Sequence, residues 1–492
     1  MFNKLLRLGK ETAIYGLSSI VGRLMNFLLA PFYTNVLLTS ENGVVAYIYA
    51  YIAFAYVVYC YGLEIAYMRF VSTLEIGDRE QNFSTPFLSL LASSVLLSLL
   101  IHLSASAIAA WIGLPAGGSV LIQYAAWILF FDTLSVVPFA SLRMDQQPKT
   151  FAGLKLFNIA TTVVLNLILI LIFHMRADGV LLANLIASVV TFAITFAVVR
   201  SKFRLTFSAS LFRELLRFGL PLIPSGLAGM ALQIVDRPIV KALTNNSTLG
   251  IYQLNYRLGI AMMLIVGMFD YAWRPFFLTN AREPNAKALF SKVFTYFVLI
   301  MFLMFLAVSF FVEDLVRIEV FGRHFFHPDY WVGVSIVPWI LLSYVFNGAY
   351  VVFLAGAYLE KKTKFLPFIT GLGALVNIGV NFLLIPTMGI MGAALATLAA
   401  YAVMAIAMYI ASQKFYEVHY EWNKVFGIAF AAFLAFLGFK LLHPVPLDLL
   451  GASVKVGLLI LFVSLLPVFK VFNSNDIALL RSTVQRYSRT PR

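Results

Sequence analysis

The sequence predicts an all-α integral membrane protein of about fourteen transmembrane helices, and three observations carry that prediction. Hydrophobic residues make up 61% of the 492-residue chain and charged residues only 12%, with a mean hydropathy of +0.89. A soluble domain carries about 25% charged residues, so this chain is composed for lipid rather than water. The apolar residues fall in long runs, each near the ~20 residues that a helix needs to cross the hydrocarbon. The net charge of +14 is confined mostly to the short segments between those runs, a pattern of membrane topology rather than of nucleic-acid binding.

The expected spans are 12–38, 43–68, 86–111, 120–142, 152–173, 179–199, 218–243, 250–273, 293–312, 331–355, 365–385, 390–411, 424–442 and 451–470. Turns such as Gly113-Leu114-Pro115 and Thr244-Asn245-Asn246 separate them, and no loop approaches the size of a soluble domain. Of the 36 Lys and Arg residues, 27 fall on one side of the implied membrane. With residues near a span end counted with the adjoining loop, five (Arg176, Lys241, Arg317, Arg323 and Lys440) fall on the other, and four (Arg23, Arg237, Arg257 and Lys455) lie deeper inside spans. The positive-inside rule then places both termini in the cytoplasm. Lys4, Arg7 and Lys10 precede the first run without a cleavage motif, as expected of an uncleaved first helix. The single cysteine, Cys60, excludes an intramolecular disulfide and a Cys-rich metal site.

A weak internal repeat organises the spans. Leu6-Arg7-Leu8-Gly9 recurs as Leu216-Arg217-Phe218-Gly219, Gly43 as Gly250, Asn166 as Asn381 and Ala183 as Ala394, at offsets of 210, 207, 215 and 211 residues. An even six-helix repeat gives two halves of the same orientation, related by an axis along the membrane normal, an arrangement found in alternating-access transporters. The expected organisation is a six-helix lobe over 1–205, a second over 206–415, and two additional helices with a basic cytoplasmic tail over 416–492. In that tail, Ile477, Leu480, Val484 and Tyr487 among Arg481, Arg486 and Arg489 suit a helix lying on the membrane surface.

An ionisable residue at the middle of a membrane helix costs about 2.5–3.5 kcal/mol on insertion scales, so each one is a candidate functional group. Arg23 lies near the middle of the first span on a small, polar face with Thr12, Gly16, Ser19, Asn26 and Ala30. Its roles are contact with a substrate or a structural tie to a neighbouring helix. The seventh span carries Ser225, Gly229, Gln233 and then Asp236-Arg237; the eighth begins with Gln253 and Arg257 on one face. Arg237 and Arg257 should lie at similar depth, with Asp236 as a charge partner that holds the hairpin. Asp132, mid-way along the fourth span with no basic neighbour on its own helix, is either an acid that responds to a proton or cation or a partner for Arg23. Glu64 and Arg69, at headgroup depth, are a gate or an interface anchor. Asp270 and Arg274 form an i,i+4 pair, and Lys455 is placed to snorkel outward from the start of the last span. His324, His327 and Asp329 share one external loop without further ligands at metal-binding spacing.

These residues fall in an ordered set: Pro31-Phe32-Tyr33-Thr34 with Gly43; Gly62-Leu63-Glu64 through Arg69; Asp132 with Pro138 and Leu142-Arg143; Asp236-Arg237; Gly250-Ile251-Tyr252; and Tyr256-Arg257-Leu258-Gly259. Over nearly its whole length the chain resembles the bacterial polysaccharide flippases, the O-antigen and capsule repeat-unit group of the multidrug/oligosaccharidyl-lipid/polysaccharide exporter superfamily. The resemblance implies an inner-membrane, multi-pass transporter without a cofactor, serving lipopolysaccharide or capsule biosynthesis. It would move undecaprenyl-diphosphate-linked oligosaccharides from the cytoplasmic to the periplasmic leaflet through two six-helix lobes around a cationic cavity. Arginine suits a diphosphate, because its planar fork binds phosphate bidentately and never loses its charge.

Arg23, Asn26, Gln233, Arg237 and Arg257 are therefore the expected substrate contacts, with Asp132 and Asp236 as ion-coupling groups or charge partners and Glu64 and Arg69 as a gate. The expected partners are the lipid-linked oligosaccharide, membrane lipids and a proton or Na+, with no nucleic acid. The two helices beyond the lobes resemble the additional pair of the lipid II flippases, which border a groove for the lipid tail. Two other readings remain at this stage. A multidrug and toxin extruder shares the fold but usually has twelve helices and acid-rich sites. A membrane enzyme of polysaccharide assembly would need a larger external loop than the one around 313–330.

Overall fold

The computed structural model describes residues 21–471 apart from Arg23, Asn26, Arg282 and Phe321. Two of the expected substrate contacts, Arg23 and Asn26, thus lie outside the described residues, as does the basic tail. The described chain is helical almost throughout. Twelve helices are long and apolar enough to cross a membrane, and two shorter apolar helices stand first and last among them. In chain order these are α1 (Phe27–Val36), α2 (Thr39–Thr73), α3 (Arg79–Leu103), α4 (Ser119–Met144), α5 (Pro148–Ile172), α6 (Ala177–Lys202) and α7 (Ala209–Ile234). They continue with α8 (Asn246–Asn280), α9 (Ala286–Arg317), α10 (Pro328–Leu359), α11 (Leu366–Met388), α12 (Ile390–Phe415), α13 (Trp422–Leu442) and α14 (Leu449–Leu465). Each of the fourteen spans read from the sequence overlaps one of them, the first (12–38) over its described residues. A single two-stranded hairpin, pairing Glu319 with His324 and Val320 with Arg323, closes the segment between α9 and α10.

The helices expose apolar side chains freely, as in Phe426, Leu375, Leu383 and Ile460. In water such a surface would aggregate; in lipid it is the solvated face, while helical hydrogen bonding satisfies the backbone internally.

Several helices are interrupted, and the interruptions have local causes. In α2, Tyr61 and Gly62 take positive φ, and a Cβ on Gly62 would lie 2.3 Å from the Gly219 carbonyl oxygen. Only glycine permits both the conformation and that backbone approach. In α7, Pro221 and Pro224 accompany a 3-10 turn over Leu220–Leu222. Beyond Ile234 the chain re-enters a short helix, Asp236–Leu243, with Pro238 in its first turn, where the missing N–H costs least. α8 tightens to a 3-10 turn at Arg257–Gly259.

By internal contacts the chain forms two compact units, Met1–Ile260 with Leu366–Ala400, and Ala261–Phe365 with Tyr401–Arg492. In the first, α2 and the start of α8 cross at glycines. A Cβ on Gly43 would come within 1.7 Å of the Asn246 carbonyl oxygen, and one on Gly250 within 1.9 Å of that of Thr39. Thr39 and Asn246 are separated by the same 207 residues as Gly43 and Gly250. The repeat seen in the sequence is therefore a reciprocal contact in space. Around this crossing, one apolar cluster gathers Leu29, Ile48, Leu121 and Leu181, and another gathers Leu63, Tyr67, Phe83, Val137, Leu142 and Leu215.

The second unit is built on aromatic packing. The ring of Trp273 stacks with Phe269 and Phe276 and meets Phe290 edge-on, while its Nε1 donates to the Val352 carbonyl at 3.2 Å.

Candidate functional site

The interruption of α7 sets two neighbouring side chains to different tasks. Asp236 is 3% exposed, and its carboxylate accepts a hydrogen bond from the fully buried Tyr252 hydroxyl. The Thr397 hydroxyl lies beside the same phenol. Arg237 turns the other way, and its Nε donates to Gln253 Oε1 at 2.6 Å. Asp236-Arg237 thus reads against Tyr252-Gln253 as two parallel rungs. Among the described residues no cation lies within 4 Å of Asp236; its hydrogen bond across the hairpin is to a phenol, and Arg237 acts on it electrostatically from the next position.

Arg257 follows Gln253 by one helical turn and shares its face. It lies in electrostatic reach of Arg237 and of the hydroxyls of Tyr33 on α1 and Tyr49 on α2. Tyr33 is itself fixed, donating to Asn166 Oδ1 at 3.1 Å. Gln233, one turn before Arg237, is exposed. Among the described residues neither arginine has a carboxylate within 4 Å. Two half-buried guanidiniums on membrane helices thus lie close enough to repel, with Asp236 in electrostatic reach of Arg237, and such charges mark a candidate functional site.

Asp132 belongs to a separate polar cavity of about 260 Å3 inside the first unit, lined from α2, α4, α5 and α6. Lys155 enters that cavity from α5 and interacts with Asp132, Glu64 and Arg143, its amine resting 4.2 Å from the centre of the Phe139 ring. Ser188 lies beside Asp132. Glu64 is salt-bridged to Arg143. Arg69 is not its partner; the guanidinium stacks 4.7 Å over the Phe218 ring. The two residues expected to act as one gate therefore face different neighbours.

Two further sequence readings meet the structure differently. Asp270 and Arg274 form the expected i,i+4 pair, bidentate at 2.8 Å for both bonds. Lys455 does not snorkel. Its side chain is buried and bonded to Asp314 at the end of α9, whose other oxygen accepts from the Leu447 amide at 2.7 Å. A carboxylate one helix away, on the same unit, outcompetes the path to water. Among the described residues no three His, Cys, Asp or Glu side chains converge as a metal site would require.

Sequence reasoning missed Lys155 and Tyr49, and it named Tyr33 and Tyr252 only as motif residues without a site role. Lys155 lies near the start of α5 and was counted with the basic loops. The tyrosines sit among many aromatic residues on apolar helices, where no spacing marks the three that meet charged groups.

The second unit carries an apolar groove of about 320 Å3 between α9, α10 and α13, lined by Phe302, Phe305, Trp339, Phe433 and Phe436 among others.

Residues 8–281 match the family model described as polysaccharide biosynthesis protein. The chain belongs to that family. No curated protein sequence matches it. Among solved structures, this family member is similar to the lipid II flippase MurJ in an inward closed conformation, with a TM-score of 0.72 at 15% identity, covering 92% of this chain and 98% of that one. It is also similar to an inward-facing multidrug resistance MATE family transporter of the MOP superfamily, with a TM-score of 0.57 at 15% identity over 83% and 97% of the two chains. A MOP superfamily transporter from Pyrococcus furiosus with a binding pocket of reverse polarity gives a TM-score of 0.56 at 16% identity over 82% and 95% of the two chains. The protein therefore has the two-lobe, multi-pass fold of that superfamily.

Proposed function

We propose that this protein is a flippase that moves undecaprenyl-diphosphate-linked oligosaccharide repeat units from the cytoplasmic to the periplasmic leaflet of the bacterial inner membrane by alternating access. The carrying observation is the pair Arg237 and Arg257, held on membrane helices without a carboxylate within 4 Å among the described residues. A diphosphate supplies the missing charge, and Gln233 and Gln253 add neutral polar groups on the same face. Arg23 and Asn26 complete this substrate site in the proposal.

The family supports a glycan-related role, and the similarity to a lipid II flippase supports a lipid-linked cargo. The apolar groove beside α13 supports it too, as a place where a polyprenyl tail can lie against Phe302, Phe433 and Phe436. The bias of 27 basic residues against 5 supports cytoplasmic termini. In the same proposal 1–205 and 206–415 are the two moving lobes.

Reconstitution into liposomes tests this reading. Lipid-linked oligosaccharide placed in one leaflet should equilibrate only when the protein is present. If it stays put while the protein exchanges organic cations against a proton or Na+ gradient, the flippase reading is wrong and the extruder reading replaces it.

A further inference from the structure

The cavity around Asp132 is separate from the arginine pair, and the diphosphate reading does not use it. Its formal charges are Asp132 and Glu64 against Lys155 and Arg143, so they cancel. Adding a Na+ or a phosphate would leave an uncompensated charge in a low-dielectric bundle, which is costly. A neutral ligand carries no such cost.

The cavity nevertheless has hydrogen-bonding capacity to spare. Among the described residues the Lys155 amine has no carboxylate within 4 Å, and the buried Nε of Arg143 makes no hydrogen bond. Asn184 and Ser188 add amide and hydroxyl groups, and the Phe139 and Phe151 rings add flat apolar faces. Donors and acceptors on several sides with aromatic faces between them match a pyranose ring, with hydroxyls round its edge and C–H bonds across its face. At ~30 Å3 per water, a cavity of about 260 Å3 holds some eight or nine waters, which is room for one sugar ring and too little for two.

The cavity also stands in register with the arginines. Tyr49 interacts with both Arg257 and Asp132, and Tyr56, seven residues further along α2, interacts with Asp132 and Glu64. Seven residues of helix span ~10 Å, a separation that a diphosphate and the sugars next to it can bridge.

We infer that the cavity lined by Asp132, Lys155, Glu64, Arg143, Asn184 and Ser188 is a monosaccharide subsite that seats a neutral sugar of the glycolipid next to its diphosphate. Asp132 accepts from a pair of ring hydroxyls, and Lys155 donates to a third oxygen. The inference rests on the glycolipid reading proposed above and names a second contact for the same cargo. It also gives Asp132 a role in cargo recognition in place of ion coupling.

The test is a thermal-stability titration of the full chain in lipid nanodiscs. The probes are free hexoses, N-acetylhexosamines, 6-deoxyhexoses, glucuronic acid, NaCl and farnesyl diphosphate. At least one neutral sugar should protect the wild type, and glucuronic acid should protect more weakly. Asp132→Asn and Lys155→Gln should each weaken that sugar about 10- to 100-fold, the loss of one charge-assisted hydrogen bond, and should leave farnesyl diphosphate protection in place. Arg257→Ala should do the reverse. Lys155→Gln carries the test if Asp132→Asn fails to fold. The inference is overturned if no neutral sugar protects the wild type, if protection survives both cavity variants, or if NaCl alone protects. Protection by farnesyl diphosphate without any by sugars removes the sugar subsite and leaves the flippase reading standing. Protection by neither removes both.

Discussion

The two compact units differ in how their buried cations are neutralised. In the unit that holds α9, α10, α13 and α14, the buried Lys455 is paired with Asp314, and Arg274 and Arg317 are paired with Asp270 and Glu313. In the unit that holds α1 to α7 and the start of α8, Glu64 is paired with Arg143, but Arg237, Arg257 and Lys155 have no carboxylate within 4 Å among the described residues, and the buried Asp236 has one oxygen bonded to a tyrosine and the other without a hydrogen bond. Paired charges build helix contacts and ask nothing of a ligand. Uncompensated cations on membrane helices are expensive, and a protein that retains them marks a candidate functional site there. By this measure the first unit contains the proposed site, and the second contains paired charges and an apolar groove.

The sharpest way to break this comparison is to unpair the second unit. Lys455→Ala strands Asp314 as a lone, half-buried acid, and breaking a buried ion pair costs about 3–5 kcal/mol. Protein in the membrane, measured by immunoblot and by thermal melting, should fall steeply, while activity per surviving molecule stays near wild type. The double variant Lys455→Met with Asp314→Leu should restore abundance, because an apolar pair of similar volume needs no counter-charge. If the single variant keeps its abundance but loses transport, Lys455 belongs to the site and the comparison fails.

The smallest effect belongs to Arg274 and Asp270, whose side chains are 48% and 28% exposed. Surface ion pairs contribute about 0–1 kcal/mol. Asp270→Asn should therefore leave both melting temperature and transport close to wild type; a tenfold loss of transport would mean that this pair, too, acts on cargo.

Much of this was legible in the sequence. Helix number and position follow from run length against bilayer thickness, and all fourteen spans overlap helices. The repeat was readable at Gly43 and Gly250 because a backbone crossing tolerates nothing larger, and the structure shows why: each glycine faces the carbonyl that its partner's repeat supplies. Arg237, Arg257 and Asp132 stood out because charge is rare in lipid. What they face was not legible. Asp132 lacks a basic neighbour on its own helix yet shares a cavity with Lys155 from the next one, and Lys455 was assigned to snorkelling because Asp314 lies 141 positions away in sequence. Periodicity reports which residues share a helix face; it says nothing about which faces meet.

The account's central claim is that the unpaired arginines are an anion site for a lipid diphosphate. The most direct measurement is the affinity of the nanodisc-embedded protein for farnesyl diphosphate, compared between wild type, Arg237→Ala, Arg257→Ala and the two Lys substitutions at those positions. Each Ala variant should bind about 10- to 100-fold more weakly, the loss of one charge-assisted contact. Each Lys variant should fall between Ala and wild type, since it keeps the charge and loses the fork. Wild-type affinity in both Ala variants, with melting temperatures unchanged, would contradict the claim and leave the two arginines as unexplained cations on membrane helices.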